Sequence, residues 1–141
     1  MRVLFLDFDG VLNNFTTRNF GEAMTPISCM NLSILLDGAP DLKIVISSAW
    51  RMWGRDYCAE VLQKNGIDSS RVIDITGNEQ GIRGHQIQCW LDQNPGVTAF
   101  VIIDDESDMG HLMDKLVKTS GYVGLTLLDV ERALVVLENQ K

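Results

Sequence analysis

Short apolar runs alternate along the chain with longer segments whose apolar residues recur every three or four positions. Val3 to Leu6, Lys43 to Ile46, Arg71 to Ile75, Ala99 to Ile103 and Gly121 to Leu125 are brief, mostly rich in Val and Ile, and bounded by polar residues or Gly. That is the pattern of buried strands. Helices are predicted between them. Thr25 as N-cap and Pro26 at the first helical position open one that runs to Asp37-Gly38. Asp56 to Lys64 carries Cys58, Val61 and Leu62 on one face and stops at Asn65-Gly66, a plausible C-cap. Arg83 to Gln93 has Ile87, Trp90 and Leu91 in one stripe and ends before Pro95. Met109 to Val117 predicts a short helix, and Thr126 with Asp129 opens a last one bearing Val130, Ala133, Leu134 and Leu137. Strand and helix in alternation predict an α/β fold: a doubly wound, Rossmann-like parallel sheet of five strands with helices on both faces, as one domain over residues 1–141.

At 141 residues, 45% hydrophobic and 22% charged, the composition suits a globular domain that needs no disulfide or structural metal to hold its core. No apolar run approaches the ~20 residues of a membrane helix. The opening MRVLFLDFDG reaches acids without a small-residue cleavage site, unlike a signal peptide. Cys29, Cys58 and Cys89 are odd in number and lie in apolar periodic segments, so they are expected to be reduced and the compartment cytoplasmic. The formal charge of −7 excludes a basic nucleic-acid coat protein.

Parallel sheets bind ligands at the carboxyl ends of their strands. The residues expected there are Asp7-Phe8-Asp9-Gly10, Ser47-Ser48 and Asp104-Asp105, with Asp108 close behind. If the first and fourth strands are neighbours, five carboxylates converge at one edge. Repulsion would drive some of them to protonate, and a hard, oxygen-loving divalent cation relieves it. Magnesium is the natural choice. A lone Asp after a strand is commonly a turn residue or cap. An Asp-x-Asp-Gly and an Asp-Asp-x-x-Asp, each directly after an apolar strand, are better explained as a site.

LFLDFDGVLN resembles the first motif of the haloacid dehalogenase (HAD) superfamily, KIVISS its second, and VIIDDESDM its acidic fourth; Arg83 stands where the family places a Lys or Arg. The resemblance spans Val3 to Asp108. It implies a phosphoryl-transfer site. By that resemblance Asp7 would be the nucleophile that becomes an aspartyl phosphate, and Asp9 would be the acid that protonates the leaving oxygen and then activates water. Gly10 permits the sharp turn. Ser47 donates to a phosphoryl oxygen, unless the strand ends a residue later and Ser48 does so. Arg83 offsets charge on the transferring group. Magnesium would be held by Asp7, a carbonyl of Asp9 and Asp104, with either Asp105 or Asp108 as the further acid.

Asn13 to Ile27 is too short for a cap domain and is expected to be a small flap, and Arg51 to Arg83 holds one helix, one strand and a loop that the core itself needs, so the site is expected to be open. An open mouth suits a phosphate on a large molecule, or a partner protein that closes it. Taking the five site acids out of the 19 leaves 14 against 12 bases, so the remaining surface is nearly neutral. Arg51, Arg55 and Arg18 are candidates to grip neighbouring phosphates, although Arg55 equally suits a solvated helix start. Trp50 and Trp53 flank Arg51 and are expected mainly to pack over a core edge, with stacking on a base as the alternative. SSAWR, RGHQIQCWL and IDDESDM also resemble cap-less HAD domains found with RNA-repair enzymes, and in outline the phosphatase half of polynucleotide kinase-phosphatases. The function expected is a magnesium-dependent phosphomonoester hydrolase acting on nucleic-acid ends or nucleotides. The alternatives are a phosphoprotein or small-metabolite phosphatase and a non-catalytic binding module, which the presence of both Asp7 and Asp9 disfavours. A phospho-receiver domain would carry its acid pair after strand one and its phosphoacceptor after strand three; here the order is different.

Overall fold

A computed structural model describes residues 1–14 and 24–140. Five parallel strands form one sheet in the order 3-2-1-4-5: β1 (Arg2–Leu6), β2 (Lys43–Ile46), β3 (Val72–Ile75), β4 (Ala99–Asp104) and β5 (Leu116–Lys118). The helices are α1 (Pro26–Gly38), α2 (Arg55–Lys64), α3 (Arg83–Gln93) and α4 (Leu127–Glu138), with short 3-10 turns at Ala49–Trp53, Ser69–Arg71 and Gly110–Lys115. The doubly wound α/β fold expected from the sequence is the fold observed, and no separate cap domain is evident among the described residues. The flap expected at Asn13 to Ile27, with Arg18 in it, lies for the most part outside them.

Alternate residues of the central strands feed two cores, as the period-two geometry of a strand requires. Leu4, Leu6, Ile44, Ile46, Val101 and Ile103 pack with the buried faces of α1, α2 and α4. Val3, Phe5, Val45 and Ile102 pack on the other side with Ile87 and Trp90 of α3 and with Met109 and Leu112. Strands buried on both faces read as unbroken apolar runs, and that is why β1, β2 and β4 were visible in the sequence. The capping box opening α4 is formed: Thr126 Oγ1 accepts from Asp129 N at 3.2 Å, and Asp129 Oδ2 accepts from Thr126 N at 3.0 Å.

The fifth strand differs from expectation. Residues 121–125 form a turn, with Val123 and Gly124 donating to the carbonyl of Ser120 at 3.0 and 2.7 Å. The strand is instead Leu116–Lys118, taken from the end of the expected helix Met109 to Val117, whose earlier part is a 3-10 turn. Only three residues pair with β4, too few for periodicity to reveal.

Candidate active site

The strand order sets β1 between β2 and β4, so the residues that follow these three strands meet at one edge. The ladder continues by one bond past the ends of β1, β2 and β5. Asp7 N donates to Ile103 O at 3.1 Å, Ser47 N to Leu6 O at 3.0 Å and Thr119 N to Asp104 O at 3.0 Å. Asp7 and Asp104 are buried, and with the half-buried Asp105 they offer carboxylate oxygens that all lie within 4.8 Å of one another. Asp108 is not in this group. It is exposed at the start of α3, where its side chain accepts from Arg83 N at 3.4 Å and its carbonyl from Gly84 N at 3.0 Å.

Arg83, the first residue of α3, reaches into the cluster. Its Nη1 lies 2.6 Å from Asp104 Oδ2 and 3.5 Å from Asp7 Oδ2. Burial works to lower the guanidinium's pKa, yet the charges of Asp7 and Asp104 raise it overall. Burial, then the charge of Asp104, holds the Asp7 carboxyl well above the usual aspartate range, against the opposing pull of Arg83. Asp105 is raised for the same first reason, burial, and is hydrogen-bonded to Asp7. One guanidinium does not offset three crowded carboxylates. The set is all hard oxygen, which suits magnesium, with Asp7, Asp104 and Asp105 as the residues that would hold it.

The two serines separate cleanly. Ser48 caps the 3-10 turn at Ala49–Trp53, its Oγ accepting from Trp50 N at 3.2 Å. Ser47 is fully buried, and its Oγ has no hydrogen-bond partner among the described residues. A buried unpaired hydroxyl costs stability unless something fills its valence, and of the two serines only Ser47 leaves its hydroxyl without a partner among the described residues.

Asp9 is half-buried beside the cluster. Its Oδ1 accepts from Asn13 Nδ2 at 2.8 Å and its Oδ2 from Trp50 Nε1 at 3.2 Å. Gly10 turns the chain at φ 81°, and a Cβ there would overlap the Asp105 carboxylate, so glycine is required on both counts. Arg51 is fixed by Nη1 on Ser48 O at 3.0 Å, Nη2 on Gln86 Oε1 at 3.2 Å and Nε on Gly77 O at 3.3 Å. Burial and the charge of Arg83 lower its pKa, while Glu79 and Asp7 act the other way. Arg55 is exposed, pairs with the adjacent Asp56 at 3.2 Å, and lines a cleft of about 520 Å³ with Glu60, Gln63 and Ser70.

Sequence reasoning missed Asn13 and Trp50 as partners of Asp9 and Thr119 as a brace on Gly10, whose carbonyl accepts from Thr119 Oγ1 at 2.7 Å. Asn13, four residues after Asp9, had a local signal, since Asn commonly closes such turns. Trp50 and Thr119 arrive from distant segments and had none. Trp50 is buried against Phe8, as expected of a core-edge tryptophan, but Trp53 is 64% exposed.

No helix among the described residues is long and apolar enough to cross a membrane. No curated protein matches the chain. The profile of one family, described as the HAD domain in Swiss Army Knife RNA repair proteins, matches residues 3–130. That match covers the five strands except for Arg2 of β1, and every acid of the cluster, and the cluster is consistent with a HAD active site. The chain therefore belongs to the HAD domain family of Swiss Army Knife RNA repair proteins.

Proposed function

We propose that this domain hydrolyses phosphomonoesters through an aspartyl phosphate on Asp7, with magnesium as cofactor and the terminal phosphate of a nucleic acid as substrate. One observation carries the reading: a buried carboxylate, Asp7, stands 3.5 Å from the Arg83 guanidinium, at the sheet edge where the neighbouring strand leads into Ser47, whose buried hydroxyl has no partner among the described residues. A nucleophile, a neutral donor and a cation converge there.

In the first step an Asp7 oxygen attacks phosphorus in line. The bond to the leaving oxygen breaks, its electron pair departs with that oxygen, and Asp9 supplies the proton. In the second step Asp9 takes a proton from water as the water attacks the aspartyl phosphate. Inorganic phosphate leaves and the Asp7 carboxylate returns. Ser47 donates to a phosphoryl oxygen, and Arg83 counters the charge that the transferring group brings to the acids. Magnesium on Asp7, Asp104 and Asp105, when bound, neutralises the crowded carboxylates and polarises the phosphoryl group. Two carboxylates are needed because the one that carries the phosphoryl group cannot also shuttle the proton.

The nucleic-acid assignment is supported by the family, by the lack of a cap among the described residues, and by Arg51, whose charge is felt by both Arg83 and Asp7. The test is a phosphate-release panel of mononucleotides, 3′- and 5′-phosphorylated oligonucleotides, phosphopeptides and sugar phosphates. The expected result is efficiency that rises from mononucleotide to short oligomer and falls with salt, because phosphate contacts release counterions. Arg51→Ala should flatten that length dependence. Equal efficiency on mononucleotide and oligomer, indifferent to salt, would move the assignment to a metabolite. No release from any member of the panel would end it.

A further inference from the structure

Asp9 is the only acid of the sequence motifs whose two carboxylate oxygens are both taken by neutral side-chain donors from other positions among the described residues. The donors come from different parts of the fold. Asn13 belongs to the turn after β1, and Trp50 to the 3-10 turn after β2. We infer that Trp50 and Asn13 are positioning residues that set the direction in which Asp9 presents its proton-transfer oxygen. The inference rests on the phosphatase reading of the same site.

The hydrogen-bond inventory leaves little freedom. An indole N–H can only donate, so Trp50 Nε1 at 3.2 Å must meet a lone pair of Asp9 Oδ2. Asn13 has an ambiguous amide until its other end is considered. Its Oδ1 lies 2.9 Å from Gly10 N, which also can only donate, so the Asn13 oxygen faces Gly10 and its Nδ2 faces Asp9. The chain of orientation runs back into the backbone, because Gly10 O is held in turn by Thr119 Oγ1 at 2.7 Å. Trp50 is itself fixed, 8% exposed and edge-on to Phe8 at a centroid distance of 5.2 Å. A free aspartate side chain moves among staggered wells. Two donors on rigid supports hold this one in a single well, and proton transfer is sensitive to such placement.

Proton donation matters for a poor leaving group and little for a good one. The test therefore compares kcat/KM on p-nitrophenyl phosphate, whose phenolate leaves unaided, with that on a nucleoside monophosphate, whose alkoxide needs the proton. Trp50→Phe keeps an aromatic ring at this buried position and removes the N–H together with the indole's five-membered ring. It should leave kcat/KM on the aryl ester within about threefold and lower it on the nucleotide by on the order of 10²-fold. Asn13→Ala should shift the same ratio in the same direction, which keeps the inference open to test if Trp50→Phe folds poorly. In an Asp9→Asn background Trp50→Phe should have no further effect on the ratio, since there is no proton left to aim. Equal losses on both esters, or a further loss in the Asp9→Asn background, would show that Trp50 only props the fold. An inactive wild-type protein would instead count against the phosphatase reading itself.

Discussion

Two turns leave the same edge of the sheet and do opposite jobs. The turn after β1, residues 7–14, carries Asp7 and Asp9 and buries Val11 and Leu12 completely. The turn after β5, residues 119–125, carries no charge and exposes Val123 to 56%. Yet the second braces the first. Thr119 Oγ1 donates to Gly10 O at 2.7 Å, and Leu125 N donates to Val11 O at 2.8 Å. Charge is costly to bury, so the acidic turn depends on neighbours that fix its backbone without adding charge of their own. Asp7 and Asp9 sit in one turn, and two of the bonds that brace its backbone come from the other.

The comparison is broken most sharply at Asp7. Asp7→Asn should lower phosphate release by on the order of 10³-fold or more, since removal of a covalent nucleophile leaves only binding and electrostatics. The fold should persist. The same variant tests the electrostatics. Burial, then Asp104, raises the Asp7 pKa, so in the metal-free fold Asp7 keeps a proton that the unfolded chain has already lost. Its contribution to stability is complete below the ordinary aspartate range and is lost as pH rises through the raised value. Urea melts in EDTA should show the difference between Asp7→Asn and wild type growing in favour of the variant as pH rises through that window. A difference that does not change with pH would mean that the crowding is relieved some other way.

Magnesium would act on Asp7 of the acidic turn together with Asp104 and Asp105 at the end of β4, and not on the turn after β5. At 100 times its dissociation constant the ion should add about 2.7 kcal/mol to unfolding, and Asp104→Ala should remove most of that gain. Thermal melts with millimolar magnesium and with EDTA read it directly. A melting temperature indifferent to both would mean that Asp7, Asp104 and Asp105 do not form a metal site.

The same contrast governs what could be read from the sequence. β1, β2 and β4 are apolar on both faces and announce themselves, and the acids after β1 and β4 stand out because nothing in a buried strand leads the reader to expect them. Ser47 and Ser48 were inseparable because the difference lies in a 3-10 cap on Trp50 N, which adjacent hydroxyls do not disclose. Asp105 and Asp108 were inseparable because spacing alone does not say which one turns toward Asp7 and which one meets α3. β5 was misplaced because GYVGL looks apolar, whereas Gly124 at φ 83° serves a turn and the true strand pairs only three residues. Supports such as Trp50 on Asp9 and Thr119 on Gly10 join positions 41 and 109 residues apart. No local pattern encodes them.

Thr119→Val measures the brace. The side chain is nearly isosteric and buried, so the change removes one donor and leaves Gly10 O without it. Stability should fall by about 1–2 kcal/mol, and kcat with magnesium should fall while KM changes little, because the turn that carries Asp9 loosens. An unchanged kcat would confine the second turn to stability alone.

The smallest effect is expected a few residues on. The turn at 120–124 is held by its backbone, through the bonds of Val123 N and Gly124 N to Ser120 O, and not by what its side chains bury. Val123→Ser should therefore change unfolding free energy by no more than about 0.5 kcal/mol and leave phosphate release untouched. Gly124→Ala should behave differently. At φ 83° an alanine is strained, and its Cβ would sit 2.7 Å from Ser28 Oγ and 2.9 Å from Val11 O, pressing on the acidic turn through its own backbone. The pair of variants, compared by urea melts and by kcat, asks whether the second turn acts through shape or through its apolar surface. A loss at Val123 as large as that at Gly124 would mean the exposed side chains matter, and the division of labour between the two turns would fail.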